Sequence, residues 1–157
     1  MQMRPAAATL VVVCIAALCV AGCTTQSPAA EPATNMSIRI TAAPQNYTPL
    51  MSSTPGISLS VNATGSEVSQ ATFTWNASYG EFLSWAAPDY TIHQLGTTVT
   101  NHGETLYWSF VNKTTTPAEP VIITVAARDP VSGDVLGTSQ VTLAWDGDFA
   151  VTVLETR

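Results

Sequence analysis

The stretch VIITVAARDPVSGDVLGTSQVTLAWDGDFAVTVLE, Val121 to Glu155, decides the fold. Apolar and polar residues alternate along its limbs, the period-two signature of strands buried on one face. Two groups of turn-forming residues, Asp129 to Asp134 and Asp146 to Asp148, separate the limbs. The stretch therefore predicts three consecutive antiparallel strands over 121–128, 135–145 and 149–155. Parity supplies the detail. Val141, Leu143 and Trp145 are odd, and so are Phe149, Val151 and Val153. A two-residue turn at Asp146-Gly147 would pair Leu143 with Ala150 and mix the faces. A three-residue loop pairing Trp145 with Phe149 and Leu143 with Val151 keeps them apart. Across the earlier turn Ala127 would pair with Leu136, yet the inward parity is odd by Val141. That conflict requires a bulge near Gly137 or a change of sheet there.

The same grammar extends upstream. Short runs rich in Val, Ile, Thr, Phe and Trp, broken by Pro, Gly, Asn and Asp, predict further strands over 37–42, 57–62, 71–76, 81–85, 97–100 and 105–111. Ile57, Leu59 and Val61 share one face, as do Phe73 and Trp75, and Leu106, Trp108 and Phe110. No helical period runs longer than about ten residues. The expected architecture is all-β, a two-sheet antiparallel sandwich of seven to nine strands over residues 37–157, with a barrel as the alternative. Phe73-Thr-Trp75 and the closing strands resemble the immunoglobulin-like and PKD-like domains common in prokaryotic surface lipoproteins. That resemblance implies an immunoglobulin-like sandwich.

The N-terminus reads differently. Arg4 precedes a charge-free run whose centre, Leu10 to Ala21, is apolar and too short to be an ordinary membrane span. It ends in Val20-Ala21-Gly22-Cys23, which resembles the lipobox of prokaryotic lipoproteins. The resemblance implies a signal peptide over residues 1–22, cleavage before Cys23, and lipid on the Cys23 sulfur. Cysteine arithmetic agrees, because Cys14 and Cys19 would leave with the signal segment and Cys23 would remain alone, with no internal disulfide possible. Residues 23–36, rich in Pro, Ala, Ser and Thr, read as a flexible tether. The expected location is the extracytoplasmic face of the cell membrane, with lipid at Cys23 as the membrane contact.

Five of the six asparagines, Asn35, Asn46, Asn62, Asn76 and Asn112, stand in Asn-X-Ser/Thr, and only Asn101 does not. These are candidate N-glycosylation sites and belong on exposed surface. A lipobox beside many sequons points to an archaeal cell surface.

Chemistry is sparse. With 5 Lys and Arg against 11 Asp and Glu, the formal charge of −6 excludes a nucleic-acid partner, which needs clustered cations. No nucleophile motif surrounds a serine, and His93 and His102 lack the partners of a triad or a zinc site. Neither catalysis nor a cofactor is expected. Asp129, Asp134, Asp146 and Asp148 are weak calcium candidates, since turns use Asp in any case. Trp75 and Trp108 belong to the core by parity. Tyr79, Trp85, Tyr90 and Tyr107 are the aromatic residues free to stack on a sugar or anchor a surface protein. The expected function is a non-enzymatic surface binding or structural module. The alternatives are a calcium- or carbohydrate-binding domain and a chagasin-like protease inhibitor, whose loops Asn76-Ala-Ser-Tyr-Gly80 and Ala127-Arg-Asp-Pro130 faintly resemble.

Overall fold

The computed structural model describes residues 36–49, 52–66, 68–110, 117, 119–146 and 150–157. The signal segment, Cys23, Asn35, Asn112, Asp148 and Phe149 lie outside the described residues. Among the described residues there are eleven strands and no helix. They are β1 (Ser37–Ala43), β2 (Asn46–Tyr47), β3 (Ile57–Thr64), β4 (Thr72–Ala77), β5 (Glu81–Ser84), β6 (His93–Gly96), β7 (Thr98–Asn101), β8 (Leu106–Ser109), β9 (Val121–Arg128), β10 (Val135–Trp145) and β11 (Val151–Thr156). One sheet has the order β1-β3-β8-β5-β6 and the other β2-β11-β10-β9-β4-β7, with every pairing antiparallel. This is the expected two-sheet antiparallel sandwich, with eleven strands rather than seven to nine.

The two additional strands are β2 and β6. The first has two residues, and the second is exposed at all four positions, so neither carries an alternation to read. In most of the others alternation matches burial, β5 being the exception, where the adjacent Phe82 and Leu83 are both buried. Ile38, Ile40 and Ala42 on β1, Ile57 and Leu59 on β3, and Leu106 and Trp108 on β8 face inward from one sheet. Phe73 and Trp75 on β4, four alternate residues of β9, and Val141 and Leu143 on β10 face them from the other. Met36 is also buried in this core, so the folded body begins inside the segment read as tether.

The bulge at the start of β10 falls where parity required it. Val135 pairs with Arg128 but Gly137 pairs with Ala127, leaving Leu136 as the extra residue of a bulge. A Cβ at Gly137 would lie 2.7 Å from the Met36 carbonyl oxygen, so glycine is what lets β10 approach the start of β1. The last hairpin has the expected odd parity but a longer connection. Trp145 pairs with Val151 and Leu143 with Val153, leaving residues 146–150 between the strands instead of three residues. Asp146 closes this wider loop: its N–H donates to the Ala150 carbonyl and its carboxylate accepts the Ala150 N–H, both at 3.2 Å.

Ser139, buried on β10, ties the sheets together. Its hydroxyl accepts the Ile40 N–H at 3.1 Å and donates to the Arg157 carbonyl. A second constraint sits over Trp108, whose indole N–H donates to the Tyr79 carbonyl at 2.7 Å. The next residue, Gly80, has φ +77° and would place a Cβ 2.6 Å from the indole. Two stability outcomes follow. Ser139→Ala strands the Ile40 N–H and should cost about 1–3 kcal/mol in denaturant unfolding. Gly80→Ala adds a left-handed penalty to an overlap with indole and should cost at least about 2 kcal/mol in the same measurement.

Candidate functional site on the five-stranded sheet

The outer face of the five-stranded sheet is built by a register that brings Ser58, Tyr107, Leu83 and Gln94 into one row across β3, β8, β5 and β6. Trp85 follows two residues after Leu83, just past the end of β5. Its ring lies 5.5 Å from that of Tyr107 at an interplanar angle of 82°, and 5.3 Å from that of Tyr90 at 57°. Three of the four aromatic residues named from sequence are thus a single cluster. Tyr79 is not part of it. That side chain is half-buried against the core, and its backbone carbonyl serves Trp108.

Tyr90 is held out by its turn. The Tyr90 N–H donates to the Ala86 carbonyl at 3.1 Å, and the Asp89 carboxylate accepts the Thr91 N–H at 3.3 Å. That Thr91 N–H bond is the main cause holding the Asp89 carboxyl below the usual range. Tyr90 has φ +52°, the only positive value at a non-glycine residue among the described residues, yet the residue is 55% exposed. An αL backbone at a bulky residue costs about 1–2 kcal/mol, and no core contact recovers it.

A cleft of about 280 Å³ opens next to this cluster, lined by Thr54, Glu81, Gln94 and Ser109 together with the apolar Leu83, Ile92, Pro49 and Pro55 and by Tyr47. The Tyr47 hydroxyl donates to the Pro55 carbonyl at 2.9 Å and also bonds Ser109. Burial is the larger influence on this phenol and raises its pKa. Sequence reading did not find the cleft residues, because Ile92 and Gln94 belong to the unrecognised β6 region. The signal was present only as a Tyr-Thr-Ile-His-Gln-Leu run with no turn former inside it.

The other named residues lie elsewhere. Asn46, Asn62 and Asn76 are all exposed, on β2, β3 and β4. Asn101, the asparagine outside any sequon, is structural. Its carbonyl oxygen accepts the Trp75 indole N–H at 3.2 Å and the Gly103 N–H at 3.3 Å, and its amide donates to the Glu104 carbonyl at 2.7 Å. His93 is exposed on strand β6, not in a loop, and His102 is exposed in the β7–β8 turn.

The described calcium candidates, Asp129, Asp134 and Asp146, do not converge. Asp129 and Asp134 flank one end of β10 and Asp146 the other, about 30 Å apart for an eleven-residue strand. Among the described residues no three His, Cys, Asp or Glu side chains group to hold a metal ion. The Asp129 carboxylate is already used by its own turn, accepting the Ser132 and Val131 N–H groups at 2.7 Å each. The two chagasin-like segments also separate. In the β4–β9 ladder Ala77 pairs with Ile123 and Thr72 with Arg128, so Asn76-to-Gly80 and Ala127-to-Pro130 leave opposite ends of the sandwich. They cannot form one inhibitory edge.

These bonds make the acid side of stability predictable. Ser132 and Val131 N–H groups hold Asp129 below the usual carboxylate range, and Glu104 is lowered by its own backbone N–H and that of His102. A lowered carboxyl contributes stability above its unfolded pKa of about 4 and loses it as pH falls through the folded value. Thermal melts from pH 6 to pH 2 should therefore show falling stability below about pH 4, and Asp129→Ala should make that fall shallower. A parallel acid limb for the variant would contradict the assignment.

Comparison with known protein families, with curated proteins and with solved structures finds no match for this chain.

Proposed function

We propose that this chain is a non-catalytic binding module of the extracytoplasmic cell surface, anchored by lipid on Cys23 and meeting its partner through Trp85, Tyr90 and Tyr107. One observation carries the reading: a three-ring cluster beside a cleft, with Trp85 and Tyr107 half-buried and Tyr90 exposed and kept in a left-handed backbone conformation that no core contact requires. Strained positions persist where surroundings over-determine them, and they concentrate at functional sites. Aromatic side chains presented this way supply contact area at low entropic cost.

The surface location draws on separate support. The lipobox-like Val20-Ala21-Gly22-Cys23 ends an apolar run, and the chain after it holds no second cysteine. Asn46, Asn62 and Asn76 are exposed, as glycan attachment requires.

Intact mass of the membrane-extracted protein from an archaeal host, beside Cys23→Ser, tests the anchoring. The expected mass is that of residues 23–157 plus lipid and glycans, with lipid lost in the variant. An uncleaved, unmodified mass that Cys23→Ser changes only by the substitution itself would overturn the lipoprotein reading.

A further inference from the structure

We infer that the partner is a glycan, bound with a pyranose ring against the Trp85–Tyr90–Tyr107 cluster and its hydroxyls turned into the adjoining cleft. This rests on the binding-module reading above and names the chemistry of its ligand.

Pyranose rings have two kinds of surface. Their axial C–H groups form an apolar, weakly positive face that packs on the negative face of an aromatic ring. Their rims carry hydroxyls that need donors and acceptors together. The structure offers both within one stretch of sheet. Trp85 and Tyr107 sit edge to face, with Tyr90 tilted beside them and more than half exposed. The cleft continues from Leu83, which pairs directly with Tyr107, to the Glu81 carboxylate, the Gln94 amide and the Thr54 hydroxyl, while the Tyr47 and Ser109 hydroxyls at its floor are buried and bonded to each other. Beside the apolar Ile92, Pro49 and Pro55, the cleft thus presents carboxylate, amide and hydroxyl groups, a set that suits the rim and face of a neutral polyol. Among the described residues no lysine or arginine lines the cleft, which disfavours an anionic ligand. Its volume of about 280 Å³ lies just under the range for drug-sized ligands and suits a single sugar ring.

A protein partner fits less well. Glu81 and Gln94 would have to be desolvated within a concave site, whereas protein interfaces place polar groups at the rim around an apolar centre.

The test uses the full chain, purified in detergent and immobilised, challenged with cell-envelope fragments of the organism that makes it. The fragments are applied untreated, after periodate, which cleaves vicinal diols, and after protease. Retention should be abolished by periodate and survive protease. Trp85→Ala and Tyr90→Gly should each lower retention at least tenfold, with Tyr90→Gly still folded because it relieves the left-handed backbone. Leu154→Ser, exposed on β11 away from the site, should change nothing. Retention that survives periodate and is lost to protease, yet still needs Trp85, would overturn the glycan and keep the binding face. Retention indifferent to both Trp85→Ala and Tyr90→Gly would overturn the glycan and the binding face together.

Discussion

Two indole rings must be buried without leaving their N–H groups stranded, and much of this sandwich is arranged around that requirement. Trp75 and Trp108 are fully buried, one from each sheet. With no disulfide available to the body after Cys23, large side chains supply the centre of the core. Trp75 packs edge-on to Phe82, while Trp108, Phe110, Trp145 and Tyr47 form a connected set with ring centroids 4.2–6.2 Å apart. Truncating a buried tryptophan costs about 3–5 kcal/mol, a large part of the stability of a domain this size. A buried donor without a partner forfeits about 1–3 kcal/mol of it. Each indole is therefore served by a connecting segment, Trp108 by the Tyr79 carbonyl and Trp75 by the Asn101 side chain.

Those two hydrogen bonds explain local choices that otherwise look arbitrary. Drawing Tyr79 over Trp108 brings the next residue so close to the ring that only glycine fits at position 80. Drawing Asn101 toward Trp75 fixes the turn between β7 and β8, where the same side chain also accepts Gly103 and donates to Glu104. The core thereby shapes both connections, and the first of them feeds directly into β5. β5 in turn positions Leu83 and Trp85 on the outer face. The placement of Leu83 and Trp85 on the outside is thus set by hydrogen-bonding needs on the inside.

How much of this was legible in the sequence follows from how strongly each element is patterned. Strands with one dry face, such as β3, β4, β8, β9 and β10, announce themselves through alternation, and even the bulge at Gly137 could be deduced from a parity conflict. Strands with no dry face, such as β6, leave no such trace. The length of the last hairpin was also hidden, because parity distinguishes odd from even connections but not three residues from five, and the Asp146–Ala150 bonds decided it. At the candidate site Trp85, Tyr90 and Tyr107 stood out as aromatic residues without an inward position. Their convergence depends on pairing between β5 and β8, which residue type does not encode. Tyr79 shows the converse limit, since its role is carried by a backbone carbonyl that any residue possesses.

The Ser139 hydroxyl has a mechanical consequence. Any pull on the N-terminal end of the body enters through β1, an edge strand that would peel readily if held by one ladder alone. All seven of its residues pair with β3, and Ile40 is bonded as well to Ser139 on β10 of the opposite sheet. Ser139 reaches on to the Arg157 carbonyl, while Gln140 and Arg157 exchange two backbone bonds of 2.7 Å. Load applied at β1 is divided between both sheets and passed to the last residue of the chain, so the strand nearest the N-terminus is also the one whose detachment demands that several unlike bonds fail at once.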